Sequence, residues 1–309
     1  MKRTIGLEIR NFRVVESAGI TIELTIEPGV NILYGPNASG KSTIIYALLS
    51  MMDIRDDDLA GRLYLSGEAE IIVSSNSTYV KFSRGKYSCR SSEKGGVIEG
   101  SIDEVRSCLQ EFWGNVGVRT VGYMWGDTLK VYSVAGSELE VRVEDGSRRP
   151  PIRLSLNVWD WRRWEELTSP PQVFDDILED ISDVAENVGY LHTGYARRGN
   201  TWIPVELLSY GERRAIALML EAKYSDLIVV EGFEASLHVD QAIRLLNKLS
   251  DKNVIVETHM GVLLNTALEN RWKVYYVYEG EAMEVTRENI LSLDLIRREI
   301  ESYTRAGGV

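Results

Sequence analysis

Hydrophobic and polar positions alternate at the start of the chain and then give way to a helical period. Alternating runs at residues 5–15 and 20–29 predict two strands, and the second ends in a Pro-Gly turn. A short apolar run at residues 30–35 predicts a buried strand, and residues 41–52 carry apolar positions at helical spacing. The N-terminal segment is therefore predicted to contain two strands, a turn, a buried strand, a loop and a helix.

The middle of the chain, residues 53–190, has a less regular pattern. Residues 68–92 predict a β-meander with short turns, and residues 171–188 predict an acidic helix. Another helix is predicted after Ser101, because Glu104, three residues on, completes a capping box. The sequence shows no sustained heptads here, so a long coiled coil is not predicted.

Apolar runs and helical patterns alternate more strictly beyond residue 200. Residues 226–230 and 253–257 predict buried strands, and the segment between them is longer than a hairpin loop. A hairpin around Glu279-Gly280 and a closing helix follow. Continuous apolar strands that alternate with helices predict a mostly parallel α/β sheet.

Composition narrows the class of protein. The 309 residues carry a net charge of −11, and a duplex-binding surface would need a local basic patch against that background. Apolar runs fall short of the ~20 residues that span a membrane, and Glu8 and Arg10 interrupt the N-terminal apolar stretch, so no signal peptide is predicted. Cys89 and Cys108 are the only cysteines, which indicates reduced thiols in a cytoplasmic protein and excludes a cysteine-built zinc site.

The most specific motif lies between the buried strand and the first helix. Residues 35–42 fit G-x-x-x-x-G-K-[ST], in which backbone N–H groups and a helix N-terminus suit phosphate oxygens. Lys41 can reach the terminal phosphates, and the Ser42 hydroxyl can bind Mg²⁺. A flexible turn is the alternative, but both flanks favour a site for a nucleoside triphosphate. The predicted contacts are Gly35, Pro36, Asn37, Ala38, Ser39, Gly40, Lys41, Ser42 and Thr43.

Later stretches and the N-terminus resemble one family of ATPases. "LLSYGERRAIAL" is similar to the signature loop of ABC-type ATPases, with Ser209, Gly211 and Glu212 at its fixed positions and Tyr210 replacing a glycine. "LIVVEGFEASLH" resembles the Walker B strand with its loop, and "VIVETH" ends at His259 like the switch histidine. The N-terminal "NFR" and "GVNILYGPNASGKST" resemble the SMC/RecF-type branch, AAA-family ATPases related to RecF and OLD, here without a coiled coil.

The resemblance covers residues 1–52 and 200–285 and implies a fold. The expected class is an α/β P-loop NTPase with a mostly parallel sheet core, an N-terminal antiparallel β-lobe and an inserted helical and β lid region. Residues 1–52 and 191–309 would form the ATPase core, and residues 53–190 would form the inserted β-meander and helical lid.

The resemblance also implies how nucleotide is bound. In this family two heads clamp two ATP molecules, and the signature loop of one head contacts the γ-phosphate held by the other. An ATP-dependent head-to-tail homodimer with ATP and Mg²⁺ is therefore expected. Ser209, Gly211 and Glu212 would contact nucleotide in this way, and Arg13, from "NFR", would lie near it. A surface arginine on a strand is the alternative for Arg13.

The main departure from the family lies at Walker B. In the ungapped alignment Glu231 replaces the aspartate that holds Mg²⁺, and Gly232 replaces the catalytic glutamate. A carboxylate still suits a hard cation, so Ser42 and Glu231 are the predicted metal ligands. Glu234 and Glu257 are substitutes for the missing base, and a register slipped by one residue would make Glu231 the base instead. The predicted catalytic residues are Glu231, Glu234 and His259, with slow hydrolysis.

Two middle stretches combine aromatic and basic residues. Residues 157–167 hold three tryptophans and two arginines, and residues 195–202 add Arg197 and Arg198. Such a surface suits single-stranded nucleic acid or a partner protein, whereas the acidic net charge favours a lid with its arginines on acidic neighbours. Three functions stay open: an ATPase of DNA maintenance or defence, a stand-alone subunit that energises another protein, and a nucleotide-sensing module with little hydrolysis.

Overall fold

The fold divides into two compact units. The computed structural model describes residues 3–12, 20–54, 68–90, 96–136, 141–142, 148–149, 155–157, 190–192, 195–204 and 207–306. The first unit comprises residues 1–119, 133–138 and 255–309, and the second comprises residues 120–132 and 139–254.

Strands and helices of the described ranges are numbered in chain order. The strands are β1 (Ile5–Phe12), β2 (Ile20–Ile26), β3 (Val30–Tyr34), β4 (Glu70–Ser75), β5 (Thr78–Ser83), β6 (Lys86–Arg90), β7 (Val97–Gly100), β8 (Thr120–Trp125), β9 (Thr128–Ser133), β10 (Val141–Arg142), β11 (Arg148–Arg149), β12 (Ser155–Asn157), β13 (Tyr190–His192), β14 (Tyr195–Arg198), β15 (Thr201–Pro204), β16 (Leu227–Val230), β17 (Val254–Thr258), β18 (Lys273–Tyr278) and β19 (Glu281–Glu284). The helices are α1 (Lys41–Ser50), α2 (Ile102–Val116), α3 (Tyr210–Tyr224), α4 (Val239–Lys248), α5 (Val262–Glu269) and α6 (Asp294–Ala306).

An antiparallel sheet of the first unit has the strand order β2–β1–β4–β5–β6–β7. Side chains alternate along β1, where Leu7 and Ile9 are fully buried and Arg10 is exposed. The predicted meander and the predicted N-terminal antiparallel β-lobe are confirmed. The lobe includes β4 to β7, which the predicted boundaries assigned to the insert, and those boundaries themselves stay a prediction.

A second sheet of the first unit carries the strand that leads into the phosphate loop. Its strands run in the order β17–β3–β18–β19, with β3 and β18 parallel and β18 and β19 antiparallel. Every residue of β3 and of β17 is buried. Such continuous burial is typical of strands covered on both faces, and it explains their unbroken apolar sequence.

The second unit combines a mixed sheet with the helix that follows the signature loop. Strand β16 pairs with β8 in parallel, and β9 pairs with β12 in antiparallel fashion. Helix α3 packs on β8 and β16 and buries most of its side chains. The predicted buried strand, the predicted helix and the predicted α/β P-loop NTPase class are confirmed. The sheet expected to be mostly parallel combines parallel and antiparallel pairs.

Cys89 on β6 and Cys108 on α2 form a disulfide. The expectation of two reduced thiols is therefore wrong. The two Cα atoms are 6.1 Å apart although the residues lie 19 positions apart in the sequence, and both side chains are buried. Only the packing of α2 against β6 brings them to bonding distance, and sequence spacing carries no information on that packing.

Several predictions concern segments that the structure covers only in part. The predicted acidic helix at residues 171–188 and the tryptophan-rich residues 158–167 lie outside the described residues. The second aromatic-basic stretch lies in β14 and β15, where Arg198 pairs with Glu212. Within the described ranges, no helix is long and apolar enough to cross a membrane.

Candidate nucleotide-binding site

The phosphate loop joins the end of β3 to the start of α1. The strand ends at Tyr34 and the helix begins at Lys41, so Lys41 and Ser42 lie in its first turn. A Cβ atom on Gly35 would lie 2.1 Å from the carbonyl oxygen of Val277 on β18, so only glycine fits at the start of the loop. The predicted strand, loop and helix are confirmed, and the N-terminus of α1 borders the loop.

The side chain of Lys41 is buried, and its charge is compensated inside the loop. Only 3% of the residue is exposed. Its Nζ donates to the carbonyl oxygens of Gly35 at 2.9 Å and Pro36 at 2.7 Å, and it lies 3.7 Å from the carboxylate of Glu257. A buried ammonium group needs such partners because an unpaired charge in a low-dielectric interior is costly. Phosphate oxygens are acceptors of the same kind, so a triphosphate can take their place.

Glu257 and His259, at the end of β17, face the same loop. The Ser42 hydroxyl donates to Glu257 at 2.9 Å. The Nδ1 atom of His259 lies 2.8 Å from the carbonyl oxygen of Gly35 and 3.5 Å from the Nζ of Lys41. A carbonyl only accepts, so Nδ1 can donate to Gly35 only in a form of the ring that carries a proton on this nitrogen. The histidine that the sequence singled out therefore lies beside the phosphate loop.

The buried hydroxyl of Ser39 provides evidence on whether the loop suits a phosphate group. Its hydroxyl oxygen is buried and has no hydrogen-bond partner among the described residues. Such an orphaned polar group costs free energy unless a ligand satisfies it. The adjoining Asn37 and Ala38 are exposed at the tip of the loop. The loop thus fits the triphosphate that its sequence predicts.

The structure also bears on the predicted Mg²⁺. In the described ranges, His, Cys, Asp and Glu side chains form no group of three that could hold a metal ion. Mg²⁺ commonly binds through one or two carboxylates together with waters and substrate phosphates. Ser42, in the first turn of α1, could supply one oxygen ligand to a metal that enters with a nucleotide.

The signature segment begins helix α3 in the second unit. The Ser209 hydroxyl accepts from the Glu212 N–H at 3.2 Å, and the Glu212 carboxylate accepts from the Ser209 N–H at 2.7 Å. Arg198 donates to both oxygens of that carboxylate, at 2.8 and 2.9 Å. A Cβ atom on Gly211 would lie 2.5 Å from the carbonyl oxygen of Ser236. Glu212 thus stabilises the start of α3. The lack of a side chain at Gly211 lets the start of this helix lie close to the loop after β16.

Tyr210, which replaces a glycine of the family signature, contacts the turn between β8 and β9. Its hydroxyl donates to the carboxylate of Asp127 and lies 3.4 Å from the carbonyl oxygen of Gly126. Partial burial and the neighbouring carboxylate raise the pKa of Tyr210. Tyr210, the residue that differs from the family sequence, therefore has hydrogen-bond partners within its own unit.

Arg214 is fully buried in α3, and the sequence analysis did not single it out. Its Nη1 donates to the carbonyl oxygen of Gly126 at 2.6 Å, and its Nη2 donates to those of Glu231 and Gly232, both at 3.0 Å. Burial lowers the pKa of its guanidinium group. In the sequence, Arg214 directly precedes the apolar stretch of a predicted helix, and this position was the available sign that the arginine is buried. This side chain ties α3 to the Walker B loop through backbone atoms.

The loop after β16 carries the predicted Walker B carboxylates. The carboxylate of Glu231 accepts a hydrogen bond from the hydroxyl of Tyr123 on β8. Glu234 is half-buried in the same loop, and its charge raises the pKa of Arg214 against the effect of burial. Gly232 has a φ of +57°, and a Cβ atom there would meet no atom within 4 Å. The position of the missing glutamate is therefore open.

The predicted site residues form two groups, one in each unit. The first unit brings the phosphate loop together with Glu257 and His259. The second brings the signature residues of α3 together with the Walker B loop. Arg13 lies outside the described residues. The individual catalytic, nucleotide and metal roles stay predictions.

Comparisons with known proteins point to the same class. A family profile described as an AAA domain matches residues 6–114. A stretch of 49 residues is 43% identical to the DNA replication and repair protein RecF of Roseiflexus castenholzii (strain DSM 13941 / HLO8), which is 16% of this chain and 11% of that relative's length.

The fold has a counterpart among solved structures. The crystal structure of the SmcHead bound to the C-winged helix domain of ScpA aligns with a TM-score of 0.55 over 93% of this chain and 99% of that one, at 14% identity. At 14% sequence identity, the similarity between the two chains is a similarity of fold. The profile, the RecF match and the fold together confirm the resemblance to SMC/RecF-like ABC-type P-loop ATPases and support an ATP-binding ATPase domain in this chain.

Proposed function

We propose that this protein binds ATP with Mg²⁺, hydrolyses it slowly and dimerises head to tail around two nucleotides. The observation that carries the proposal is the phosphate loop itself. Its buried lysine is compensated by groups that phosphate oxygens can replace, and the buried hydroxyl of Ser39 has no partner among the described residues. Both features favour a bound polyanion.

The proposed roles follow the sequence motifs. Lys41 meets the terminal phosphates, and Ser42 and Glu231 contribute oxygen ligands to Mg²⁺. Glu234 orients the attacking water, and His259 contacts the γ-phosphate from beside Gly35. Because Gly232 supplies no carboxylate, we expect slow turnover, since a positioned base typically contributes about 10²–10⁴ in rate.

Dimerisation is proposed through the N-terminus of α3. Helix N-termini attract anions, and the capping box holds this one in a fixed geometry. In the proposed dimer, Ser209 and the N–H of Gly211 in one copy contact the γ-phosphate bound by the other. The γ-phosphate then joins the two copies, and its loss on hydrolysis releases them.

Light scattering with ATP and Mg²⁺ tests this dimer. A doubled mass is expected for the unmodified protein, and Ser209→Arg is expected to stay monomeric. Ser101→Arg is the matched control, because Ser101 forms the same kind of capping box on α2 of the first unit. Both variants lose a cap worth about 1 kcal/mol, so only the loss of the dimer in Ser209→Arg supports the proposal. A monomer at high protein concentration with ATP would contradict it.

The biological setting is proposed more broadly. DNA maintenance or defence is the leading expectation, although the net charge of −11 does not favour DNA binding. A stand-alone ATPase that energises a protein partner through residues 53–190 is one alternative, and a nucleotide-sensing module is another. Turnover that DNA stimulates would favour the first setting, and stimulation only by a partner would favour the second. Tight ATP binding without turnover would favour the sensing module.

A further inference from the structure

Glu257 is a buried carboxylate that faces the phosphate loop. It lies on β17, two residues before the switch histidine, and only 8% of the residue is exposed. Its side chain turns to the start of α1, where it accepts the hydrogen bond of Ser42 at 2.9 Å and lies 3.7 Å from the ammonium group of Lys41. A buried carboxylate thus contacts the residues that are expected to meet the metal and the phosphates.

The distance between Ser42 and Glu257 can be compared with the spacing of adjacent Mg²⁺ ligands. Mg²⁺ requires an octahedron of oxygen ligands at about 2.0–2.1 Å, so two adjacent ligands lie about 2.9 Å apart. The Ser42 Oγ and the nearer oxygen of Glu257 are 2.9 Å apart. A hydroxyl and a carboxylate are also ligand types that Mg²⁺ accepts. The distance is that of the hydrogen bond between them, and it also allows the two oxygens to act as neighbouring ligands of one ion.

The other candidate carboxylate, Glu231, is held differently. It belongs to the second unit and accepts a hydrogen bond from the hydroxyl of Tyr123. Glu257 belongs to the same unit as the phosphate loop and contacts it directly. Glu257 thus contacts Ser42 directly within the first unit.

We infer that Glu257, together with Ser42, provides a carboxylate ligand for the Mg²⁺ that accompanies ATP. The inference rests on the proposed function and adds a ligand to it. A competing role is that of a simple counter-ion, in which Glu257 only compensates the charge of Lys41. The two roles predict different dependence on the metal. A ligand is needed only when Mg²⁺ is present, whereas a counter-ion acts with and without it.

The test measures ATP affinity by calorimetry across a Mg²⁺ titration and again in EDTA. The Glu257→Gln variant is expected to need at least tenfold more Mg²⁺ for half-maximal binding. In EDTA its affinity is expected to equal or exceed that of the unmodified protein, because a negative charge near the phosphates is removed. Glu269→Gln, an exposed carboxylate on α5 of the same unit, is the matched control and should leave both measurements unchanged.

Each alternative outcome overturns the inference in a recognisable way. An unchanged Mg²⁺ requirement in Glu257→Gln would exclude a ligand role, and an equal loss of affinity with Mg²⁺ and in EDTA would assign Glu257 a structural role. Glu257→Asp keeps the carboxylate and should shift the Mg²⁺ requirement less than Glu257→Gln, even if the latter folds poorly. If the unmodified protein binds no ATP under either condition, the proposed function fails and the inference with it.

Discussion

The two groups of candidate site residues, one in each unit, hold their buried cations in different ways. In the first unit, Lys41 is surrounded by two loop carbonyls and a carboxylate. In the second unit, Arg214 donates to three backbone carbonyls, those of Gly126, Glu231 and Gly232. Two partners of Lys41 lie in the loop where a polyanion is expected, and the third lies on β17. The partners of Arg214 belong to a turn and a loop of the second unit.

The difference separates a binding cation from a structural one. A phosphate can replace the acceptors around Lys41 because it supplies the same kind of oxygen with more charge. The contacts of Arg214 are buried, and removing its guanidinium group would take a charged donor from each of three carbonyls. The carbonyl of Gly232 would keep the N–H of Ala235 as a donor, and that of Gly126 would keep the hydroxyl of Tyr210. We therefore expect changes at Lys41 to alter ATP affinity and changes at Arg214 to alter the stability of the fold. Two predictions test this contrast directly, and two more extend it to a buried carboxyl group and to the Walker B loop of the second unit.

The largest effect is expected from Arg214→Met. The variant loses charge-assisted hydrogen bonds worth about 1.5–3 kcal/mol each, and the second donors to Gly126 and Gly232 offset part of the loss, so the free energy of unfolding should fall by about 3–5 kcal/mol. Urea denaturation measures this loss. Arg197→Met, at an exposed arginine of the same unit, is the control and should change stability by about 0.5 kcal/mol or less. Equal stability of the two variants would show that Arg214 is no structural anchor.

Lys41→Ala should come next and should act on binding. Loss of charge-assisted hydrogen bonds to phosphate removes about 2–3 kcal/mol, which corresponds to an affinity about 100-fold lower. Calorimetric titration with ATP and Mg²⁺ checks this loss. Lys81→Ala removes a lysine that pairs with Glu70 in the same unit and should leave the affinity unchanged. An unchanged affinity in Lys41→Ala would contradict the nucleotide site.

Glu221 should make stability depend on pH. Its carboxyl group is fully buried beneath Gly122, has no hydrogen-bond partner among the described residues, and burial raises its pKa well above the ordinary value. Because the folded-state pKa is raised, the stabilisation that comes from protonated Glu221 is fully present below the unfolded-state pKa. It is lost as pH rises through the folded-state pKa. Between these values the free energy of unfolding should fall by up to about 1.4 kcal/mol per pH unit.

The matched variant for this pH effect is Glu221→Gln, which keeps the shape without the titration. Urea denaturation at several pH values should show the variant more stable than the unmodified protein at alkaline pH. The difference should shrink as the pH approaches about 4, near the unfolded-state pKa of glutamate. Parallel pH profiles for both proteins would exclude Glu221 as the cause.

The smallest expected effect is that of Gly232→Glu. The positive φ of this residue costs a non-glycine side chain about 1–2 kcal/mol, while the open space around it admits a carboxylate. We expect ATP turnover to rise about tenfold, or about 1.4 kcal/mol in the barrier, if the carboxylate orients water. Gly232→Ala carries the same backbone strain without the carboxylate. A similar rate in both variants would show that this position does not limit hydrolysis.

Much of the fold was predictable because its signals are local. The phosphate loop, the meander of β4 to β6 and the capping boxes of α2 and α3 depend on residues a few positions apart, so their hydrogen bonds follow from neighbouring residue types. The parallel strands were predictable from their unbroken apolar runs, since burial on both faces selects such sequences. The same local signals located the signature and Walker B segments along the chain.

Contacts between distant segments were decided only by the tertiary structure. Ser42 and Glu257 are 215 positions apart, and their hydrogen bond depends on the placement of β17 beside β3. The disulfide depends in the same way on α2 lying against β6. The sequence by itself thus determined which residues could bind a triphosphate, because that chemistry is encoded in one continuous loop. Which carboxylate meets that loop was decided by packing, since side-chain distances across a sheet depend on strand order and not on sequence separation.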